Sequence, residues 1–443
     1  MKSPDELAAA GRFGIGRVTR FYAPLLLQAF SQSLTYPLVA GIVTHGRLGV
    51  DALTAFSQGQ MIMFMVGALG GGLVTTGMVF AKTWYGYVSF RRLNAIMMAA
   101  LLALQCVPAI APFDRWVFEG VFALPPELAG LARWTLLLGT VMNGLFFLRN
   151  VPMVVLFNNY ESGKANVATV VRIAVTLACS AAFPRLGWTG AYWGLFALTL
   201  GVAVEYAVTW AYARPYVDAL RTRTCAARPM SARERCALTF EQFRFTLPLS
   251  LGGCLLMLSP VLIAAFVGRS ADAAAMLTVH YVTAGVVNPV GYAALRMQTV
   301  AIQFPPASAR DRRLLVYAAS VGLVLGVVPL AFSAPGLGDW YFGVYQNVPA
   351  ELCPTARLAS ALYAFVCVIL AVRGRIEGLA ALAKRPRSVM AGQVAYTVSL
   401  AALLLVLLPL GVPGWVMAVA GINFAPLCAT AAIYISLSRR QCN

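Results

Sequence analysis

Long apolar runs recur from one end of the chain to the other, separated by short charged or Pro/Gly-rich stretches. A run of about twenty residues is what an α-helix needs to cross the ~30 Å hydrocarbon core of a bilayer, whereas barrel strands leave only weak alternation. The pattern predicts twelve spans, at residues 21–44, 52–81, 92–112, 130–157, 166–184, 188–212, 244–268, 274–303, 314–333, 356–381, 389–409 and 414–437. The expected fold class is an all-α polytopic membrane protein. The first run follows a polar N-terminal stretch and has no small-residue cleavage pattern after it, so it is read as a retained span.

Charge then orients the spans. One set of alternate loops collects Lys2, Arg12, Arg17 and Arg20, then Lys82, Arg91 and Arg92, Lys164, the stretch Arg214 to Arg244, Arg310, Arg312 and Arg313, Lys384, Arg385 and Arg387, and Arg439 and Arg440. The other set has only Arg47, Arg115, Arg133, Arg185, Arg269 and Arg357. By the positive-inside rule both termini are expected in the cytoplasm, and the chain in the cell's inner (plasma) membrane. The net charge of +18 is thus a topology signal, and no nucleic-acid partner is expected.

The stretch 214–243 is the longest polar one and divides the spans into two sets of six: an N-lobe at 1–213, a cytoplasmic linker at 214–243 and a C-lobe at 244–443. Three landmarks recur at one offset. Arg20-Phe21-Tyr22-Ala23-Pro24-Leu25 returns as Arg244-Phe245-Thr246-Leu247-Pro248-Leu249, Leu186-Gly187-Trp188-Thr189-Gly190 as Leu410-Gly411-Val412-Pro413-Gly414, and Arg149 as Arg373, each 224 residues on. A duplication is expected, with two parallel six-helix lobes related by pseudo-two-fold symmetry and substrate bound between them near the midplane.

Composition narrows the function classes. The 443 residues are 60% hydrophobic and 11% charged with mean hydropathy +0.75, beyond any soluble domain. The nine cysteines stand singly without CxxC spacing and read as small apolar packing residues. With two histidines, no GxxxxGK[ST] loop and no Ser-His-Asp set, neither enzymatic chemistry, a metal nor a cofactor is expected.

Charge inside the apolar runs is the functional signal, because each such residue costs roughly 2.5–3.5 kcal/mol to insert. Arg149 lies near the middle of the fourth span, with Asn150 beside it and Pro152 placed to bend the helix. It is either a structural ion pair within its lobe or a cavity-facing substrate contact, and the second is the working reading. In the tenth span Arg373 and Glu377 share a helical face while Arg375 is about 200° away. These three are read either as a packing network or as a site for a multiply charged anion, which a guanidinium fork binds through paired hydrogen bonds. Arg296, His280 and Asn288 of the eighth span extend that site. Gln28, Gln32 and Thr35 draw one polar stripe on the first span. Glu205 is the other deep acid, a coupling candidate or a neutraliser of a nearby arginine, with neutralisation slightly preferred. Arg172 is read as structural, snorkelling to the membrane surface.

Several short motifs resemble the progressive ankylosis (ANK) family of the MOP flippase superfamily. They are Arg20-Phe21-Tyr22-Ala23-Pro24-Leu25, Gly77-Met78-Val79-Phe80, Ser259-Pro260-Val261, Phe266-Val267-Gly268-Arg269, Pro289-Val290-Gly291-Tyr292, Phe304-Pro305-Pro306, Val372-Arg373 with Gly378, and Leu408-Pro409-Leu410-Gly411-Val412-Pro413-Gly414. The resemblance implies a twelve-span, two-lobed exporter, with pyrophosphate, citrate and nucleotides as the anions of its animal members, and maps the family's intramembrane arginine onto Arg373. Where those members carry first-span acids, this chain has Gln28, Gln32 and Thr35. The MATE branch relies on acids in the first or seventh span, and neither span has one here. The function expected is a secondary transporter exporting a small multiply charged anion by alternating access, as a monomeric transport unit. The alternatives are a MATE-like cation-coupled drug antiporter and a flippase of a lipid-linked precursor.

Overall fold

The computed structural model of the chain describes residues 13–122, 124–224, 230–308 and 311–438, with the side chains of 31–34, 36, 37, 50, 223 and 224 left aside. Lys2, Arg12, Arg228, Arg310, Arg439 and Arg440, counted above among the basic loops, lie outside the described residues. All regular structure among the described residues is helical. The helices are α1 (Ile15–Thr44), α2 (Gly49–Ala68), α3 (Gly72–Phe80), α4 (Trp84–Cys106), α5 (Pro126–Asn158), α6 (Ser162–Arg185), α7 (Ala191–Thr224), α8 (Ala232–Met257), α9 (Ser259–Val267), α10 (Ala273–Leu295), α11 (Met297–Gln303), α12 (Arg313–Ala331), α13 (Cys353–Leu382), α14 (Pro386–Leu407) and α15 (Gly414–Ser438). Eleven spans among the described residues are long and apolar enough to cross a membrane, with α2–α3, α8–α9 and α10–α11 each forming one. The 30-residue α1 precedes them at the place of the first expected span. The protein is a multi-pass, all-α membrane protein. Its surface fits that solvent: Leu323, Val324, Phe365 and Leu405 are each more than 60% exposed, as residues facing lipid tails must be.

The polar stretch 214–243 is more helical than a linker, because α7 runs on to Thr224 and α8 begins at Ala232. Extending the helices satisfies backbone groups that a loop beside a membrane would leave to water. The chain divides into two compact units. Unit 1 comprises Ser31–Ser250, and unit 2 comprises Leu251 onward together with α1 as far as Phe30. Both divisions fall inside helices.

Each unit repeats the other at the 224-residue offset. The starts of α2, α6 and the π-helical turn Arg115–Val121 map onto the starts of α10, α14 and the π-helical turn Asp339–Tyr345. Within these turns Phe118 and Phe342 are buried, and Trp116 and Trp340 are exposed. An ion pair ties each turn to the following long helix, Asp114 to Arg133 at 3.0 Å and Asp339 to Arg357 at 2.8 Å. The leading motif has a matching function in both copies. Phe245 packs edge-on against Phe80 at 5.2 Å and Phe21 against Phe304 at 5.6 Å. Gly187 and Gly411 close α6 and α14 at φ of 73° and 69°, a left-handed conformation that costs glycine little.

In one crossing the two copies exchange sizes. A Cβ on Gly77 of α3 would meet Val154 of α5 at 2.7 Å, and a Cβ on Gly378 of α13 would meet Ala301 of α11 at 2.7 Å. Val154 and Gly378 are equivalent positions, as are Gly77 and Ala301, so the small residue has changed helices while the close approach persists. Close approach through small residues is how helices associate where lipid offers no hydrophobic drive.

Candidate functional site

In unit 1, α5, α6 and α7 converge on one carboxylate. Arg149 of α5 donates from Nη1 to Glu205 Oε2 at 2.7 Å, Arg172 of α6 donates to the same oxygen at 3.2 Å, and Thr169 Oγ1 donates to Glu205 Oε1 at 2.7 Å. All of it is buried, with Arg149 at 6%, Arg172 at 3% and Glu205 at 1% exposure. The Arg149 guanidinium also lies 4.8 Å from the Phe146 ring centre, and its Nε has no hydrogen-bond partner among the described residues. The snorkelling expected of Arg172 is not observed, because Glu205 holds it in the core. An ion pair at that depth satisfies the charge without the stretch to the surface.

In unit 2 the equivalent arginine is held differently. Arg373 of α13 donates from Nε to Glu377 Oε1 at 2.8 Å and from Nη2 to Gln393 Oε1 of α14, while Gln393 Nε2 donates to Glu377 Oε1 at 3.2 Å. Tyr396 of α14 places its ring 5.3 Å from the guanidinium. Position by position, Thr169 becomes Gln393, Arg172 becomes Tyr396, and the counter-ion moves from α7 to the arginine's own helix, with Ala429 where Glu205 would stand. The second copy thus replaces a like-charged neighbour by an aromatic face that attracts a cation.

The turn from Arg373 to Gly378 presents three faces. Arg373 and Glu377 meet α14. Gly374 and Gly378 lie against the α10–α11 backbone, where added Cβ atoms would come 2.9 Å from Leu295 O and 2.6 Å from Gln298 O. Arg375, half-buried, looks the third way and interacts electrostatically with Asp311 of the loop before α12. The 200° separation read from the sequence is therefore a division of labour, and Arg375 stands apart from the Arg373 network.

The remaining candidates are dispersed. Arg296 lies at the α10–α11 junction. His280 is buried on α10, its Nδ1 without a hydrogen-bond partner among the described residues, and Asn288 of the same helix is exposed. Asn150 is half-buried beside Arg149. Gln28 and Thr35 are buried, in unit 2 and unit 1 respectively, and the Gln32 side chain is outside those described. Thr169, Gln393 and Tyr396 are the network members that spacing along single helices misses. The signal that finds them is the repeat itself, since adding 224 to the neighbours of Arg149 lands on the neighbours of Arg373.

No protein-family model matches the chain, and no curated protein matches it. Solved structures do. A MATE protein in its bent conformation superposes with TM-score 0.73 at 16% identity, covering 99% of this chain and 98% of that one. A MOP-superfamily transporter from Pyrococcus furiosus, whose binding pocket is described as having reversed polarity, gives 0.70 at 14% identity over 99% and 98%. An outward-facing multidrug-resistance MATE transporter gives 0.71 at 15% identity over the same shares. Over nearly its whole length, the chain has the fold of MATE transporters of the MOP superfamily.

Proposed function

We propose that the protein is a secondary transporter of a small, multiply charged anion, and that Arg149 is the side chain that meets the cargo. The observation that carries this is the unfinished coordination of Arg149. Its guanidinium offers five donors; Glu205 engages Nη1, and the buried Nε has no hydrogen-bond partner among the described residues. Buried donors left unmade cost roughly 1–3 kcal/mol each, and a carboxylate or phosphate oxygen is the acceptor that matches a guanidinium fork. Arg373, with Glu377, Gln393 and Tyr396 around it, is more completely satisfied. It is assigned to setting the α13–α14 packing, with Glu377 as its fixed counter-ion. Arg296, Asn150, His280, Asn288, Gln28, Gln32 and Thr35 remain proposed contacts along the path, and Arg375 is the weakest member of the set. A citrate-, pyrophosphate- or nucleotide-like cargo fits this chemistry, and the fold supports alternating access by a membrane carrier.

The test is counterflow in proteoliposomes with labelled citrate, pyrophosphate and a nucleotide. At least one is expected to be carried by wild type, and Arg149→Ala is expected to reduce it by about tenfold or more, the loss of one charge-assisted bond. Equal transport by wild type and variant would remove Arg149 from the site, and no anion carried at all would remove the anion reading.

A second reading rests on Glu205, a carboxylate buried to 1% exposure in a fold shared with multidrug transporters. A cation-coupled drug antiporter would use it as the coupling acid. That reading predicts proton- or sodium-dependent efflux of a lipophilic cation, abolished in Glu205→Gln. Both Arg149 and Arg172 already pair with Glu205, which favours the anion reading.

A further inference from the structure

We infer that unit 2 carries a binding groove for one anionic phospholipid, between the start of α1 and α12. The groove has a volume of about 1200 Å³. Thr19, Ala23 and Leu26 form one wall and Val316, Ser320 and Val324 the other, positions at helical spacing that put each set on one face. The walls are fastened to each other and to the floor. Thr19 Oγ1 and Tyr317 Oη lie 3.1 Å apart, Tyr22 donates from Oη to Ala293 O at 2.8 Å, and the Tyr22 and Tyr317 rings meet edge-on at 6.5 Å.

Three observations identify the occupant. The first is polarity along the groove, which is basic at one end and apolar beyond it. Arg312 and Arg313 stand exposed at the mouth, and neither guanidinium has a hydrogen-bond or ion-pair partner among the described residues. The nearby acid of the groove offsets them only in part, because Asp311, whose charge also acts on Arg313 and Arg375, is engaged by the backbone N–H of Arg313 at 3.0 Å and of Ala307 at 3.3 Å. These bonds hold its carboxyl below the usual carboxylate range and fix it within its own loop. The second is depth. From Arg313 to Val324 is roughly 16 Å of helix, about half the ~30 Å hydrocarbon thickness and so one leaflet deep. The third is what the outer rim faces: Val316 and Val324 are 62% and 69% exposed on a membrane-spanning helix, so the groove opens sideways to lipid. A phosphate at Arg312 and Arg313 with one acyl chain along the α1–α12 walls uses all three. A free water-soluble anion uses only the first, and an apolar drug or a second copy of the chain leaves the arginines without a partner. This inference does not depend on what the protein transports.

The test uses the full chain, purified in mild detergent with phosphatidylglycerol and phosphatidylcholine of identical acyl chains. Bound lipid is counted by native mass spectrometry. Wild type is expected to retain phosphatidylglycerol in preference to phosphatidylcholine. Arg312→Ala with Arg313→Ala is expected to lower that retention about 25-fold, at about fivefold per basic residue. Arg312→Lys with Arg313→Lys keeps the charge and is expected to stay within a few-fold of wild type, which separates lost contact from a misfolded loop. Ser320→Trp, filling the groove, is expected to abolish retention of the site-specific lipid while leaving the arginines in place. A phosphatidylglycerol with a photoactivatable acyl chain is expected to label α12 in wild type and not in Ser320→Trp. Unchanged retention in the double alanine variant, equal retention of both lipids by wild type, or labelling that survives Ser320→Trp would each overturn the inference.

Discussion

Glu205 answers two guanidiniums at once, which makes its loss more damaging than the loss of either arginine. Replacing it with alanine strands Arg149 and Arg172 together in an apolar core. Breaking a buried pair from one side costs about 3–5 kcal/mol, because the remaining charge keeps its desolvation penalty. Arg149→Ala leaves Glu205 with Arg172 and the Thr169 hydroxyl. Thermal unfolding in detergent should therefore rank Glu205→Ala below Arg149→Ala, with Glu205→Ala combined with Arg149→Ala recovering part of the loss. The reverse ranking would mean that the carboxylate is not the hub. The same comparison separates stability from transport, since Arg149→Ala is expected to lose transport while remaining folded. Charge at this depth could be read from the sequence, because an arginine fifteen residues from its nearest flanking lysine has no other reading than intramembrane. Glu205 could be read as the neutraliser of a nearby arginine, but which arginine could not. Glu205 lies 56 residues further along on another helix, and no periodicity within a helix reports which residue of a neighbour it faces. For Arg373 the partner is four residues along the same helix, and spacing alone names it.

Helix against helix, the two copies keep one crossing with its small residue on opposite sides. A substitution that restores bulk on the glycine side should then be relieved, in part, by removing bulk on the other. Gly378→Val is expected to lower stability by about 1–3 kcal/mol, the usual range for overpacking. Adding Ala301→Gly, which makes α11 resemble α3, is expected to return part of it. Additive losses would show that the clash is with the Gln298 carbonyl, 2.6 Å from the added Cβ, and not with the Ala301 methyl. The counter-ions also distribute their links differently. Glu205 joins three helices of unit 1, whereas Glu377 stays on α13 and the Arg373 network reaches only α14. Elements of this kind were largely legible in advance. The apolar runs locate the helices because an α-helix is the form in which one continuous apolar run satisfies its own backbone hydrogen bonds in a bilayer. The π-helical turns and the breaks at α2–α3 and α10–α11 were not legible, since mean hydropathy is the same whether a helix continues or interrupts.

At the level of the whole chain, the repeat carries the assignment further than any single motif. Similarity to solved MATE and MOP structures lies at 14–17% identity among those compared, too low for a residue-by-residue transfer of function. The internal offset of 224 aligns the two arginines, the two ion-paired turns and the two phenylalanine contacts within one sequence. It therefore compares this chain with itself. It also shows where the copies have diverged, and divergence falls at the counter-ion, on α7 in one copy and on the arginine's own helix in the other. The repeat explains why the fold was readable, whereas what the buried arginines bind depends on donor geometry that no pattern encodes.

The unit boundaries inside α1 and α8 bear on how such a protein can be taken apart. Unit 1 holds the beginning of α8, where Thr246 Oγ1 meets Thr76 Oγ1 at 2.7 Å and Gln242 donates to Gly86 O at 3.1 Å. Unit 2 holds the beginning of α1 in the same manner, through Tyr22 and Phe21. Severing the chain between α7 and α8 thus gives two fragments, each lacking a piece of its own core. Residues 1–224 and 230–443 expressed separately are expected to aggregate, and expressed together to copurify as one monodisperse particle on size exclusion. A fragment that is monodisperse alone and unfolds at the temperature of the intact protein would contradict this. A single copy of the repeat would face the same deficit, and a second identical chain lending its leading helix would make it good. The exchange of helix ends within this one polypeptide is thus the intramolecular counterpart of a domain swap.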